Sequence, residues 1–287
     1  MIREIKIAIQ DSHIPDSYAT LLIDACESLG LEYECFGMIP FLEDISAITG
    51  NILEDTDSLI IPFGSTKIIK LWLKGVLPQN WKIFYNEKGF NSYWQSFQKL
   101  NGGKYLDEYL LNAGCWFTQF PECADDYYTE QDAFVRPAGD LKLFNGQIRP
   151  AGTSLRQLLS EQNTSSDIYD KTELIMVADI KHIISEYRCF VVGDKVSTCL
   201  YRQDGQLVNK ETNISEKFEL MKLCTLWNPS DNTDNPFVVD VALINSNNKL
   251  DWKILEYNCF HCSGFYGINV EYTLQCLVEY VGRNFYV

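Results

Sequence analysis

Two carboxylates and an amide stand at spacings that suit a divalent cation. Phe237-Val238-Val239-Asp240-Val241-Ala242 is followed, after a polar turn, by Leu255-Glu256-Tyr257-Asn258. Read as adjacent antiparallel strands, these segments bring Asp240 near Glu256, while Glu256 and Asn258, at i and i+2, share a face. Three oxygen donors on one face are what a hard, octahedral Mg²⁺ takes while it also holds substrate phosphates. The competing reading is an outward-facing polar strand edge. The apolar neighbours in VVDVA and ILEYN isolate the acids among core-forming residues and favour a site.

A second constellation is Phe134-Val135-Arg136-Pro137-Ala138-Gly139-Asp140-Leu141-Lys142, where a strand delivers an arginine into a Pro/Gly loop with a lysine six positions on. Loop amides and two cations suit a clamp on phosphate oxygens. The spacing is not that of a Walker loop, and a surface ion pair is the bland alternative. Third, Glu186 and Arg188 enter a hairpin, again at i and i+2, and Tyr201-Arg202 leaves it. They face a shared cavity or form a structural cross-strand ion pair.

Other reactive residues offer less. The three histidines are His13, His182 and His261, so general bases are few. Cys259-Phe260-His261-Cys262 has the spacing of half a zinc site, but no second CxxC or HxxxH completes it. The ten cysteines are scattered, mostly in apolar segments, and read as reduced, largely buried thiols. Gln10-Asp11-Ser12-His13, Gly64-Ser65-Thr66 and Cys262-Ser263-Gly264-Phe265-Tyr266-Gly267 are loops with only loop chemistry to recommend them.

The elements that must position these residues follow from periodicity. IKIAIQ is an apolar strand, residues 16–30 carry helix-period apolar positions ending at Gly30, and LEYECFG is a second strand. DSLIIPFG is a continuous apolar run, and in STKIIKLWLKG Ser65 is placed to cap a helix stopping at Gly75. This pattern predicts a small α/β lobe with a parallel sheet over residues 1–95. Residues 96–131 form a connector with a helix near KYLDEYLLNAG. Beyond them DAFVRPAG, TELIMVAD, EYRCFVVGDKVSTCLYR, PFVVDVALI and KLDWKILEYN are β-rich, with a hairpin centred on Gly193-Asp194. NVEYTLQCLVEYVGRNFY has apolar residues at helical spacing and closes the fold.

Composition bounds the rest. Of 287 residues, 46% are hydrophobic, as expected of a chain folded throughout. A formal charge of −15 argues against a broad surface for nucleic acid. No secretory signal and no apolar run long enough for a membrane span is visible, so a soluble, cytoplasmic protein is expected.

Taken in order, strand-Arg-Pro-loop-Lys, an apolar strand, ExR with its hairpin, a strand Asp and Glu-x-Asn resemble the ATP-grasp superfamily, which includes D-alanine ligases and glutathione synthetases. The resemblance covers essentially the whole chain. It implies an α/β amino-terminal lobe followed by an α+β ATP-grasp fold with antiparallel sheets over 96–287, in two lobes divided near 173–180. Arg136 stands where most members have lysine, which is similar to a phage and bacterial branch with a lysine a few residues on, here Lys142.

The resemblance further implies Mg²⁺ on Asp240, Glu256 and Asn258, and ATP phosphates on Arg136 and Lys142, with Lys104 as an earlier lysine. Glu173, Met176 and Val177 fall where the family places the hinge against adenine, and Asp179 or Glu186 contacts the ribose. Arg188 and Arg202 join Arg136 and Lys142 as the implied catalytic cations. The implied activity is ATP-dependent C–N bond formation between a carboxylate and an amine, of a peptide or amino acid, through an acylphosphate. An ATP-binding interaction module without ligase chemistry, or a kinase on the same scaffold, would need the same phosphate clamp.

Overall fold

The computed structural model describes residues 4–11, 16–38, 45–120, 130–139, 144–161, 173–229, 235–246 and 248–285. The first lobe is built on β1 (Ile5–Gln10), α1 (Asp16–Leu29), β2 (Glu32–Met38), β3 (Ile45–Ala47), β4 (Leu59–Phe63) and α2 (Lys67–Leu73). Its sheet has the order β3-β2-β1-β4, with β1 parallel to both β2 and β4 and only β3 antiparallel. Strand periodicity divides its two faces. Ile7 and Ile9 pack with Leu22 and Cys26 of α1, whereas Ala8 and Ile60 pack with Ile68 and Ile69 of α2.

The connector corrects the expected helix near residues 104–114. After α3 (Ser92–Ser96) it makes only a 3₁₀ turn at Leu106–Tyr109. Leu106, Leu110 and Leu111 are all buried, and Gly114 takes a positive φ of 73°. Leu111 donates its amide to Ile254 O at 2.7 Å, so the chain is drawn onto the third sheet before a second helical turn forms.

The second sheet combines β5 (Trp116–Phe120), β6 (Ala133–Pro137), β7 (Gln147–Arg149) and β8 (Glu173–Asp179) in the antiparallel order β5-β8-β6-β7. Ala133, Val135, Ile175 and Val177 face α4 (Leu155–Glu161) and are buried with its Leu155, Leu158 and Leu159. By alternation, Phe134, Arg136 and Met176 face the other way.

The third sheet comprises β9 (Ile183–Val192), β10 (Lys195–Gln203), β11 (Gln206–Glu211), β12 (Phe237–Ser246) and β13 (Lys249–Asn258), antiparallel in the order β11-β10-β9-β12-β13. The expected hairpin is present, with Gly193 at φ 58° between Val192 and Lys195. Tyr187, Val239, Val241 and Tyr257 pack on one face with Leu220 and Leu223 of α5 (Ile214–Cys224). Phe190 and Val238 on the other face share a core with β1, α1 and the amphipathic α6 (Val270–Phe285), which contributes Leu274, Leu277 and Val281.

Ser65, expected to cap α2, does not. Thr66 occupies the N-cap without a side-chain bond, and the Ser65 amide donates to Gln10 Oε1 at 2.8 Å. Among the described residues no helix is long and apolar enough to cross a membrane.

Candidate active site

Strand register sets the central row. Arg188 lies opposite Asp240 in the β9–β12 ladder, and Asp240 lies opposite Glu256 in the β12–β13 ladder. Asp240 is fully buried, and Arg188 holds it with a two-pronged bond, Nε to Oδ1 at 2.8 Å and Nη2 to Oδ2 at 2.7 Å. Asn258 Nδ2 donates to Asp240 Oδ2 at 3.1 Å, so the amide expected beside the acids is there, tied to one of them. Burial pushes the Asp240 carboxyl up and the guanidinium opposes it. Burial also opposes the charge on Arg188, yet the facing carboxylate holds its pKa above the ordinary arginine value.

Arg188 has further company. Its Nη1 donates to Gly264 O at 3.1 Å, and its guanidinium carbon lies 4.8 Å from the Tyr266 ring centre and 5.3 Å from that of Tyr201. The two rings stack at 5.0 Å. Arg188 therefore joins Asp240 to the loop after β13 through charge, a backbone bond and cation–π contact.

A bulge brings the third carboxylate out of this buried row. Asp240 pairs with Glu256 and Val241 with Ile254, leaving Leu255 as the extra residue of β13. Leu255 and Glu256 both line a cleft of about 260 Å³ between the second and third sheets. Phe134 and Arg136 of β6 form one wall, Glu186 and Arg202 another. Arg136 Nη1 contacts Glu256 Oε2 across the cleft, while its Nε donates to Pro137 O at 3.2 Å. Tyr201 OH donates to Glu186 Oε2, and Arg202 Nη1 stands 3.8 Å from that oxygen.

The remaining expected residues divide. Met176 borders a small cavity beside the cleft, shared with Arg136, Leu255 and Glu256. Val177 points into the core of the second sheet, which leaves only its backbone for any ligand in the cleft. Glu173 Oε1 accepts the Gly139 amide at 3.1 Å and so fixes the loop that follows Arg136. Burial raises its pKa, against the Gly139 amide and the charges of Lys70 and Arg136. Asp179 is exposed near Lys181, and Lys104 is exposed with Nζ 3.5 Å from Tyr109 OH; neither lines the cleft. Lys142 lies outside the described residues.

His261 is not available for proton transfer. It is buried, its Nε2 accepts the Phe84 amide at 2.8 Å, and its Nδ1 lies 2.7 Å from Pro62 O. Desolvation lowers its pKa to about 4, although the Pro62 bond works the other way. With both nitrogens taken, it also lends nothing to a zinc site at Cys259 and Cys262. Among the described residues all nine cysteines are free thiols.

A cleft between two antiparallel sheets, with an arginine on one wall and carboxylates on the other, defines a class of proteins that grip an anionic ligand together with a cation. Residues 114–276 match a family described as an ATP-grasp domain, the second family of its clade, and the chain belongs to that family. The fold is similar to that of the D-alanine–D-alanine ligase from Bacillus anthracis, at a TM-score of 0.54 and 10% identity over 98% of each chain. It is also similar to the ATP-grasp ligase PsnB, solved with a minimal precursor, at 0.51 and 11% identity over 98% of this chain and 100% of that one. Comparison with curated proteins gives no match.

Fold and family together give the architecture expected from the sequence, an α/β amino-terminal lobe followed by an ATP-grasp fold with antiparallel sheets. The donor chemistry fits the Mg²⁺ that such a cleft implies. Mg²⁺ is commonly held by one or two carboxylates plus substrate phosphates, and Glu256 lines the cleft with Asp240 opposite it in register. Leu255, Phe134, Tyr201 and Tyr266 escaped the sequence reading as site residues. The one sequence signal was the unalternating Ile254-Leu255-Glu256, which marks the bulge.

Proposed function

We propose that the cleft binds ATP with Mg²⁺ and that the protein is an ATP-dependent carboxylate–amine ligase acting through an acylphosphate. The observation that carries the reading is the convergence of Arg136, Glu186, Arg202 and Glu256 on one cleft from two sheets. In this reading Arg136 takes phosphate oxygens, and Phe134, Ile183 and Leu255 supply apolar surface for the base. Glu186, held by Tyr201, is the ribose partner favoured over the exposed Asp179. Arg188 serves as a positioning residue, since its guanidinium is spent on Asp240 and Gly264.

Glu256, with Asp240 and Asn258 behind it, would hold Mg²⁺, whose bound charge would offset that of the phosphates. A carboxylate oxygen attacks the γ-phosphorus, the bond to the β-phosphate bridge breaks, and ADP leaves. An unprotonated amine then attacks the acyl carbon, the bond to phosphate breaks, and the nitrogen sheds a proton as the amide forms. Catalysis of this kind rests on alignment and charge neutralisation, so the shortage of histidines is no obstacle. The substrates are an amino acid or peptide carboxylate and an amine. With a charge of −15 a nucleic-acid partner is not part of the reading, and the cytoplasm is the proposed compartment.

Calorimetric titration with a non-hydrolysable ATP analogue and Mg²⁺ tests the site. Binding should require the metal and weaken about tenfold or more in Glu256→Gln. Incubation with ATP, pooled amino acids and hydroxylamine should release ADP and trap the acylphosphate as a hydroxamate. Carboxylate-independent ADP release, or binding without turnover on any acceptor, would rule out ligation.

A further inference from the structure

The Arg136–Glu256 contact joins β6 of the second sheet to β13 of the third, directly across the cleft. Both side chains are mostly shielded from water, 14% and 21% exposed. Arg136 is the cleft's phosphate-facing cation and Glu256 its metal-facing anion, and each now neutralises the other. We propose that this pair is a latch that makes nucleotide and divalent cation bind cooperatively. The inference rests on the nucleotide-site reading above and adds to it the order imposed on the two ligands.

A cation arriving alone at Glu256 must displace Arg136 and leave its charge beside the new one, in a cleft where water screens poorly. A nucleotide arriving without metal must displace Glu256 and leave its carboxylate facing the phosphates. Arriving together, the two ligands break the pair once and leave both groups compensated. The coupling is reciprocal, as linkage requires. It also ties ligand binding to movement of one sheet against the other, because the latch is a contact between them.

The distinguishing consequence is that removing one half of the latch improves binding of the ligand that uses the other half. Binding of Mn²⁺ without nucleotide, followed by the EPR signal of the free ion, should tighten about fivefold or more in Arg136→Gln. Binding of ADP in EDTA should tighten by a similar factor in Glu256→Gln. Arg202→Gln removes the same charge from the cleft rim, where the guanidinium faces Glu186, and should change Mn²⁺ affinity less.

All these variants keep side-chain bulk, and the two arms are independent, so one misfolded variant leaves the other to decide. Arg136→Gln that binds Mn²⁺ no better than wild type or than Arg202→Gln, or Glu256→Gln that binds metal-free ADP no better, overturns the latch. Failure of the wild type to bind ADP with Mg²⁺ would instead overturn the nucleotide-site reading itself.

Discussion

Arg188 and Asp240 place two full charges inside the third sheet, where each is tolerable only because of the other. The fork of two bonds, the Asn258 amide and the Gly264 carbonyl together satisfy most of the polar atoms involved. Arg188→Ala should therefore cost about 3–5 kcal/mol in urea denaturation, because it strands a buried carboxylate. Arg188→Lys should recover part of that loss, since an ammonium keeps the charge but not the fork. A loss below about 1 kcal/mol in Arg188→Ala would show that Asp240 simply takes up a proton. The sequence made this pair visible only in outline. Glu186, Arg188 and Asp240 were recognisable as polar residues in apolar strands, but which partner Asp240 takes depends on inter-strand register, which local pattern does not specify.

At the level of elements, α5 is anchored by a reciprocal cap. Asn213 Oδ1 accepts the Glu216 amide and Glu216 Oε2 accepts the Asn213 amide, each at 2.9 Å. The other Glu216 oxygen accepts Tyr187 OH, also at 2.9 Å, so one carboxylate starts the helix and ties it to β9. Asn213→Ala should cost about 1 kcal/mol in a denaturant melt. Glu216→Ala should cost more, about 2 kcal/mol, because the Tyr187 hydroxyl loses its acceptor as well. Equal losses would mean that the bond to Tyr187 contributes nothing.

Most strands and the closing helix were legible because their apolar positions repeat at two or at 3.6 residues. The features that escaped were those in which a neighbour overrides the local pattern. The 3₁₀ turn at Leu106–Tyr109 is captured by β13, and the Leu255 bulge shifts the phase of a strand. Met176 and Val177 show the same limit within one strand, since adjacent residues face opposite sides and only the packed sheet reveals which side is the cleft.

At the scale of the molecule, His261 is a peg between the first and third sheets. It follows β13 in sequence, yet its ring bonds to Pro62 and Phe84 and stacks on the Phe84 ring at 5.3 Å. Its folded pKa of about 4 lies below the ordinary 6.5, so the unfolded chain binds the proton more tightly. The resulting stabilisation is complete above about pH 6.5 and is lost as pH falls towards 4, a total of roughly 3 kcal/mol. Denaturant melts at intervals between about pH 4 and pH 7 should show this slope in the wild type and a shallower one in His261→Gln. A slope unchanged by the substitution would assign the acid sensitivity to other groups.

The shared core of β1, α1 and α6 has a temporal side. Ile7, Ile9, Leu22 and Cys26 are covered by Leu274, Leu277 and Val281, residues from the opposite end of the order of elements. During synthesis from the amino terminus, the α1-facing side of the first sheet thus emerges long before its cover. That apolar face stays bare while the other two sheets are being made, and its contacts are among those of longest sequence separation. An arrest in translation before α6 would leave a nascent chain with a sticky, half-clad sheet, a natural target for a chaperone.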